Sequence, residues 1–417
     1  MLTNNDRQLL RDLAAQYAAY ATLPVQTEKI KLWEALNTGH MQRPMVLLSQ
    51  LPWNELDTDG TLDGTVSDPY WRRFEASLRK ALYIWEHMPA DQVLPPYLVL
   101  PSLAHSSGYG IDRAVHFLSD DAHAVRAQSF DCLFNTLEDV EKIKTPHVIC
   151  DRELQARITA EANELFAGII DWRFEGLVLH LGIWDYIAER MGVTNVYMAL
   201  YDNPELLHAM MERFTEATLS LIAEMNTEQV ANIYSPTCHC SHTFLPGEPT
   251  AANVCAQGQL GGSTNEAWAF GLAQLFTSVS PDVTEEFEVA YMKRLFPHFK
   301  HIYYGCCDRL DDRMDRILQL PNVRKISCSP WSNADVFAER IPKNLVMSAK
   351  PNPAFFAVEH FDLDAILTDL KAKIAAAKRN GTNLEFIFKD VSTVRGNPQR
   401  LWDTAKAAVE LMEREYA

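Results

Sequence analysis

Apolar positions along the chain follow two spacings, which together predict a sheet whose strands alternate with helices. Short apolar runs such as LVLHL and LEFIF are typical of parallel strands that are buried on both faces. Longer stretches with apolar residues every three or four positions, such as 71–88, predict amphipathic helices. The strand candidates are 43–50, 96–103, 176–182, 229–235, 300–305, 323–329, 345–350 and 384–390.

Helical patterns accompany the later strands, at 184–227, 265–277, 282–297 and 398–415. Eight strands alternating with helices predict an α/β fold of the (β/α)8 TIM-barrel type, and a doubly wound open sheet is the alternative. Residues 4–38 have the pattern of two amphipathic helices. We therefore expect residues 1–40 to form an N-terminal helical extension and residues 41–417 to form the barrel.

Composition and charge indicate which kinds of binding partner the protein can have. The 417 residues are 47% hydrophobic, which is ordinary for a globular chain, and the formal net charge is −17. Such an acidic chain argues against a nucleic-acid partner and against an anionic membrane. The N-terminus is polar rather than a signal peptide, so we expect a cytoplasmic protein that acts on a small molecule. Its eight cysteines are then expected as free thiols or metal ligands.

Residues that directly follow the strands of such a barrel lie around one mouth, where catalytic groups sit. Gly305-Cys306-Cys307-Asp308 follows the strand at 300–305. Two thiols and a carboxylate at this position can bind a soft divalent metal such as zinc. Lys389-Asp390, after the last strand, can form a buried ion pair. Other side chains predicted near the mouth are Gln50, His105, His180, Cys238, His239, Cys328 and Lys350.

A carboxylate is expected to approach these thiols. The helix at 282–297 leads into the strand at 300–305, so its first turn, with Glu285 and Glu286, begins at the mouth beside Cys307. The alternative is that both glutamates only complement the helix dipole. The run 238–242, Cys-His-Cys-Ser-His, offers further ligands, but a loop with chance ligands explains it equally well.

Four segments then resemble a known family: YYGCCDRLDDRMDRI, KISCSPWSN, SAKPNPAFF and FKDVSTVRGNPQRLW. They are similar to the uroporphyrinogen-decarboxylase-like superfamily, over roughly residues 95–415. That superfamily consists of (β/α)8 barrels and contains porphyrinogen decarboxylases as well as zinc-dependent methyltransferases that serve corrinoid proteins. The arginine-rich motif that grips porphyrinogen carboxylates is replaced here by LLSQLPWNE. The resemblance therefore favours the corrinoid-dependent branch, of the O-demethylase type.

The resemblance also implies a ligand set. Members resembling aryl methyl ether demethylases use two glutamates and a histidine for zinc. The second glutamate corresponds to Glu286, the histidine corresponds to Cys307, and the first glutamate falls at Gly271. Cys306 or Cys238 is then the candidate for the missing ligand.

We therefore predict a zinc-dependent methyltransferase that moves a methyl group from a small ether, amine or thioether to a corrinoid held by a separate protein. Asp308 or His180 would manage a proton, and a homodimer is plausible from the resemblance. The alternatives are a metal-free decarboxylase, with Lys350 or Arg173 binding the substrate carboxylate, and a non-catalytic partner of a corrinoid protein. The predicted substrate-binding residues are His105, Tyr109, Trp184, Trp331, Lys350 and Asn352.

Overall fold

A computed structural model describes residues 2–117, 128–233, 236–247 and 258–417 of the chain. Within these ranges, no helix combines the length and the apolar character that a membrane crossing requires. The predicted strand at 229–235 lies partly outside them, because residues 234 and 235 are not described.

Most strands are short and are followed closely by a loop or a helix. They are β1 Met45–Leu48, β2 Tyr97–Leu100, β3 Ala104–Ser106, β4 Val115–Phe117, β5 Gln128–Phe130, β6 Val148–Cys150, β7 Asp171–Phe174, β8 His180–Leu181, β9 Thr237–Cys238, β10 Ser241–His242, β11 Trp268–Gly271, β12 His301–Tyr304, β13 Val323–Cys328, β14 Val346–Ala349 and β15 Asn383–Phe388.

The α-helices are α1 Asn4–Ala21, α2 Pro24–Asn37, α3 Trp53–Leu56, α4 Pro69–His87, α5 Arg152–Phe166, α6 Ile183–Met191, α7 Val193–Asp202, α8 Pro204–Glu228, α9 Pro281–Thr284, α10 Ala290–Leu295, α11 Met314–Ile317, α12 Ala334–Arg340, α13 Ala354–Ala357, α14 Leu363–Asn380 and α15 Gln399–Glu415. A π-helical turn, Glu285–Val289, joins α9 to α10. Short 3₁₀ turns occur at Leu137–Lys142, Thr264–Glu266, Gln274–Ser278 and Phe296–His298.

Side chains cap several of these helices. Thr3 and Asp6 form a reciprocal capping box at the start of α1, and Asp362 accepts a hydrogen bond from the backbone N–H of Ala365 at the start of α14. Gly381 ends α14 in the left-handed conformation, which glycine adopts without a steric cost. These local signals explain why the helical patterns begin and end where they do.

The central element is a parallel sheet, in which seven strands of the described residues lie in the order β1-β15-β14-β13-β12-β11-β8. The first strand of the chain pairs with the last, with Met45 opposite Glu385. β2 and β7 form a separate parallel pair, and an isolated bridge joins Leu177 to Ala231. The described residues therefore establish an α/β fold built on a parallel sheet.

Several predicted strands are confirmed, namely those at 43–50, 96–103, 300–305, 323–329, 345–350 and 384–390. The predicted helix at 265–277 is wrong, because β11 occupies its middle and pairs with β12. Its run of small and aromatic residues is only long enough for a strand, and 3₁₀ turns flank it. β7 was not predicted, and of the run 176–182 only β8 is a strand.

One face of the sheet, here called the inner face, carries Phe270, Tyr303, Val346 and Ile387. This face packs against Trp33 of α2 and against the hairpin Thr237–His242, whose strands are β9 and β10. The opposite face packs against the surrounding helices in a larger apolar cluster. The hairpin therefore fills the space in front of the inner face and carries its own side chains towards the strand ends.

Candidate active site at the carboxyl ends of the strands

The turn after β12 places two thiols side by side. Gly305 has φ +87°, and a Cβ there would lie 2.6 Å from Leu310 Cδ1, so the turn requires glycine. The backbone N–H of Cys306 donates to Asp308 Oδ1 at 2.6 Å. This buried carboxylate fixes the turn, and the two Sγ atoms of Cys306 and Cys307 lie 3.7 Å apart.

Asp390, which follows β15, completes a group of possible metal ligands. Cys307 Sγ lies 3.3 Å from Asp390 Oδ2. The ligand atoms of Cys306, Cys307 and Asp390 all lie within 4.8 Å of one another, and the described residues contain no other such group of three. Two soft thiols and one carboxylate therefore converge at the carboxyl end of the sheet.

Lys389 brings a positive charge into the same group. Its Nζ donates to Cys306 Sγ at 2.8 Å and lies 3.0 Å from Asp390 Oδ2 and 3.4 Å from His239 Nε2. The Lys389 side chain is 2% exposed and that of Asp390 is 43% exposed, so the predicted Lys389–Asp390 ion pair is present but only partly buried. The ammonium group sits where it compensates a negative charge on Cys306.

The two thiols differ in acidity. Hydrogen bonds from Cys307 and His239, together with the Lys389 charge, lower the pKa of Cys306 well below that of a free thiol. The hydrogen bond to Cys306 and burial raise the pKa of Cys307. Cys306 is therefore the thiolate of the pair, and Cys307 is the thiol that donates to it.

His239 reaches the thiols from the hairpin. Its ring stacks on Phe270 with centroids 3.8 Å apart and planes at 3°. Hydrogen bonds to Cys240 and Cys306 raise the pKa of His239, although burial opposes the shift. His239 and Asp390 both have left-handed backbones, with φ of 54° and 57°. Non-glycine residues adopt this conformation at a cost and are concentrated at functional sites.

A cavity of about 340 Å³ lies beside this group. It is lined by Tyr109, His180, Gly182, Ile183, Asp185, Tyr186, Glu189 and Phe214. Burial and the nearby charges of Asp308 and Cys306 raise the pKa of Asp185 to about 7. Burial lowers the pKa of His180, so its imidazole is neutral at neutral pH. The His180 ring lies 4.9 Å from the Phe270 ring, on which His239 stacks, so aromatic contacts connect the cavity to the thiol group.

Two of the predicted metal ligands lie elsewhere. Glu286 is 59% exposed and pairs with His208 Nε2 at 3.1 Å, so it is not in the group with Cys307. Cys238 is 4% exposed among apolar side chains, and burial raises its pKa to about 12. At Gly271, Phe296 Cζ lies 2.6 Å from where a Cβ would be, so no side chain fits there. Asp390, and not Glu286, is the acid that lies with Cys306 and Cys307.

The two predicted proton-handling residues occupy different places. His180 lines the cavity, and its Nδ1 accepts a hydrogen bond from the Gly182 N–H at 3.3 Å. Asp308 is 2% exposed and holds the Cys306 backbone, and burial raises its pKa to about 6. Asp308 is therefore placed to support the turn, and His180 is placed to face a ligand.

Among the predicted substrate-binding residues, only Tyr109 lines the cavity. Trp184 is fully buried and donates to the Phe287 carbonyl, whereas Trp331 is 66% exposed. His105 is exposed on β3, which pairs with β6. The remaining two are held locally: Lys350 donates to Tyr303 and Ser348, and Asn352 accepts from the Ala354 N–H.

Sequence reasoning missed Asp185 and did not assign Asp390 as a ligand. Asp185 directly follows Trp184 in the first turn of α6, four residues after the end of β8, so a search limited to the residues that directly follow the strands does not reach it. Asp390 was recognised only as a partner of Lys389. Its contact with Cys307 joins residues 83 positions apart, for which the sequence carries no local signal.

Comparison with known proteins gives a distant likeness in fold. No protein-family model matches the chain, and no curated protein is similar to it in sequence. Among solved structures, one match is a methyltransferase from Methanosarcina mazei, with 11% sequence identity and a TM-score of 0.47. The alignment covers 92% of this chain and 98% of that chain. A likeness at this level carries no functional argument, so the function has to be argued from the site.

Proposed function

We propose that this chain is a methyltransferase whose metal ion, zinc, is held by Cys306, Cys307 and Asp390. The observation that carries the proposal is the convergence of these three ligands at the carboxyl ends of the strands. A catalytic zinc site commonly has three protein ligands and one open position. Two cysteines and one acid are a soft donor set of this kind.

The observed distances suit such a site. Tetrahedral zinc with Zn–S bonds of about 2.3 Å separates two sulfur ligands by about 3.8 Å. Cys306 Sγ and Cys307 Sγ lie 3.7 Å apart. Lys389 Nζ already contacts Cys306 and Asp390, which indicates that these atoms favour a cation between them. Metal binding requires the Lys389 ammonium to give up its contact with Cys306.

When bound, zinc would supply a Lewis acid for the heteroatom that carries the methyl group, or for a thiol acceptor. The chain's own residues would do the rest. Before the metal binds, Lys389 and His239 hold Cys306 as a thiolate, and Asp308 fixes the turn that aligns it. Neutral His180 lines the cavity, and because its Nδ1 accepts from the Gly182 N–H, its Nε2–H would be the hydrogen-bond donor to a substrate. A corrinoid on a separate protein as methyl acceptor, and a homodimer, are proposed from the sequence resemblance alone.

We also infer that the sheet closes as a (β/α)8 barrel of the uroporphyrinogen-decarboxylase-like type. The pairing of β1 with β15 supports this inference, since it joins the first strand of the chain to the last. The parallel β2–β7 pair would complete the circle.

Metal analysis tests the proposal. Protein purified without added zinc should contain about one zinc per chain, and Cys307→Ser and Asp390→Asn should each lower that content. Glu286→Gln is the matched control, because Glu286 pairs with His208 outside the group, and it should retain the metal. Zinc content well below one per chain that added zinc does not restore would rule out this function.

The decarboxylase alternative depends on a cation for the substrate carboxylate. Lys350 is 2% exposed and donates to both Tyr303 Oη and Ser348 Oγ, so its amine is committed inside the sheet. Release of carbon dioxide from small aromatic or pyrrolic acids, unaffected by chelators, would favour this alternative over methyl transfer.

A further inference from the structure

The cavity beside the thiols has aromatic walls. The rings of Tyr109, Tyr186 and Phe214 contact one another edge to face, with centroids 4.9–5.3 Å apart. The guanidinium of Arg190 already lies over the Tyr186 ring, 3.2 Å from its centroid. Aromatic faces attract cations, and such rings recognise alkylated ammonium groups in other proteins.

Asp185 places a carboxyl group in the wall of the cavity. Its carboxylate has no hydrogen-bond or ion-pair partner among the residues that the structure describes. The charged groups that act on it, Asp308, Cys306 and Glu189, are all acidic. Arg113 and Arg190 pair with Glu189, another residue of the cavity wall, and no basic group contributes to the pKa shift of Asp185. A ligand with a positive charge would supply the partner that Asp185 lacks.

The size of the cavity limits the ligand. About 340 Å³ is at the lower end of the roughly 300–1,000 Å³ typical of small-molecule pockets. The cavity is linked to the candidate metal group through His180, whose ring contacts Phe270, and through His239, which stacks on the same Phe270 ring. A small ligand held here would therefore lie on the side of the candidate metal group that His239 occupies.

We propose that the cavity binds the alkylated ammonium group of a small organic cation, with its charge on Asp185 and its alkyl groups against the Tyr109 ring. The inference rests on the proposed function in one respect, namely that this cavity receives the substrate. It adds the substrate class: the molecule is a cation, and its charged group is the anchor. A neutral ether or thioether of the same shape would lack that anchor.

Calorimetric titration with two matched probes tests the proposal. Choline carries a trimethylammonium group, and 3,3-dimethylbutan-1-ol has the same shape without the charge. With protein treated with a chelator, we expect choline to bind at least about tenfold more tightly than the alcohol. Working without metal keeps this test separate from the zinc measurement, so either result can fail alone.

Variants assign the preference to one side chain. Asp185→Asn should reduce the affinity for choline to that for the alcohol and leave the alcohol unchanged. Asp282→Asn, whose side chain is 84% exposed, is the matched control and should bind choline as the parent does. Equal affinity for the two probes in the parent protein, no binding of choline, or unchanged binding of choline by Asp185→Asn would overturn the proposal.

Discussion

Two lysines on the inner face of the sheet, Lys325 and Lys389, are both almost completely buried, but their partners differ. Lys325, in β13, donates to Ser241 Oγ at 2.6 Å, to Glu385 Oε2 at 2.7 Å and to the His242 carbonyl at 3.0 Å. Lys389, just after β15, contacts a thiol, a carboxylate and an imidazole. Lys325, in the middle of the sheet, therefore holds the hairpin in place. Lys389, at the end of the sheet, stabilises the negative charge of the Cys306 thiolate.

The directions of the pKa shifts agree with this difference. Burial lowers the pKa of Lys325 although Glu385 opposes the change. The charges of Cys306, Cys240 and Asp390 raise the pKa of Lys389 in spite of burial. The pKa of Glu385 is lowered by Lys325 and Lys350 against its own burial, so this carboxylate is the better stabilised member of its pair. We expect substitution of Lys325 to lower the free energy of unfolding and substitution of Lys389 to raise the pKa of Cys306.

The largest expected effect is from Lys325→Met. It leaves Glu385 buried with one of its cations removed, and breaking a buried pair costs about 3–5 kcal/mol. We expect the midpoint of urea unfolding to fall, with an unchanged dependence on urea.

The double variant Lys325→Met/Glu385→Leu removes both charges and should recover most of that loss. If the single variant lost less than about 1 kcal/mol, the description of this pair as a structural clamp would be incorrect.

Lys389→Met should have a smaller effect on folding and a clear one on the thiols. Without the ammonium group the pKa of Cys306 rises, because Lys389 stabilises its thiolate. In chelator-treated protein, we expect the ultraviolet absorbance of the thiolate to appear at least ~1 pH unit higher, which corresponds to ~1.4 kcal/mol.

Lys389→Arg retains the charge and should keep the thiolate at low pH. A titration curve for Lys389→Met that matched the parent protein would show that hydrogen bonds from Cys307 and His239 suffice without the lysine.

The smallest expected effect is from Asp185→Asn, and it is an increase in the stability of the folded chain. The pKa of Asp185 rises from an ordinary 3.8 to about 7, so between these values the folded chain binds more protons than the unfolded chain. This carboxyl therefore lowers stability as pH rises through that range. The full shift corresponds to about 4 kcal/mol, and because Asp185 is only partly buried, solvent screening reduces the expected gain in stability above pH 7 to on the order of 1 kcal/mol, with no difference below about pH 4.

Thermal unfolding of the parent and the variant across this pH range measures the gain. A variant that is less stable than the parent above pH 7 would mean that Asp185 has a favourable partner in the folded state. The expected gain also separates loss of choline binding from misfolding.

The sequence predicted those strands whose apolar runs end at a clear boundary. The run before Gly305 is one example, and β12 was confirmed. Residues 265–277 defeated the same reasoning, because AWAFGLAQLF also satisfies helical spacing and a short apolar run fits either state. Pairing of β11 with its neighbours decides the outcome, and pairing is a tertiary effect.

The site was predicted as far as topology determines it. Cys306, Cys307 and Lys389 were placed at one edge because they follow parallel strands. Topology did not determine the direction of each side chain on the helical segment that precedes β12: Glu285 pairs with Arg316, Glu286 pairs with His208, and Glu288 is buried beside Tyr304. Three neighbouring acids thus face three directions, and none of them joins the metal-ligand group. The acid that does, Asp390, arrives from a distant part of the chain.

The hairpin Thr237–His242 has a consequence for folding. Its contacts reach Asn37 in one direction and Lys325 and Glu385 in the other. Such pairings have a high contact order, so they form slowly and close only when nearly the full chain is available. A fragment that ends before Glu385 should leave this hairpin without its anchor, so a shortened chain is a poor starting point for isolating the thiol chemistry.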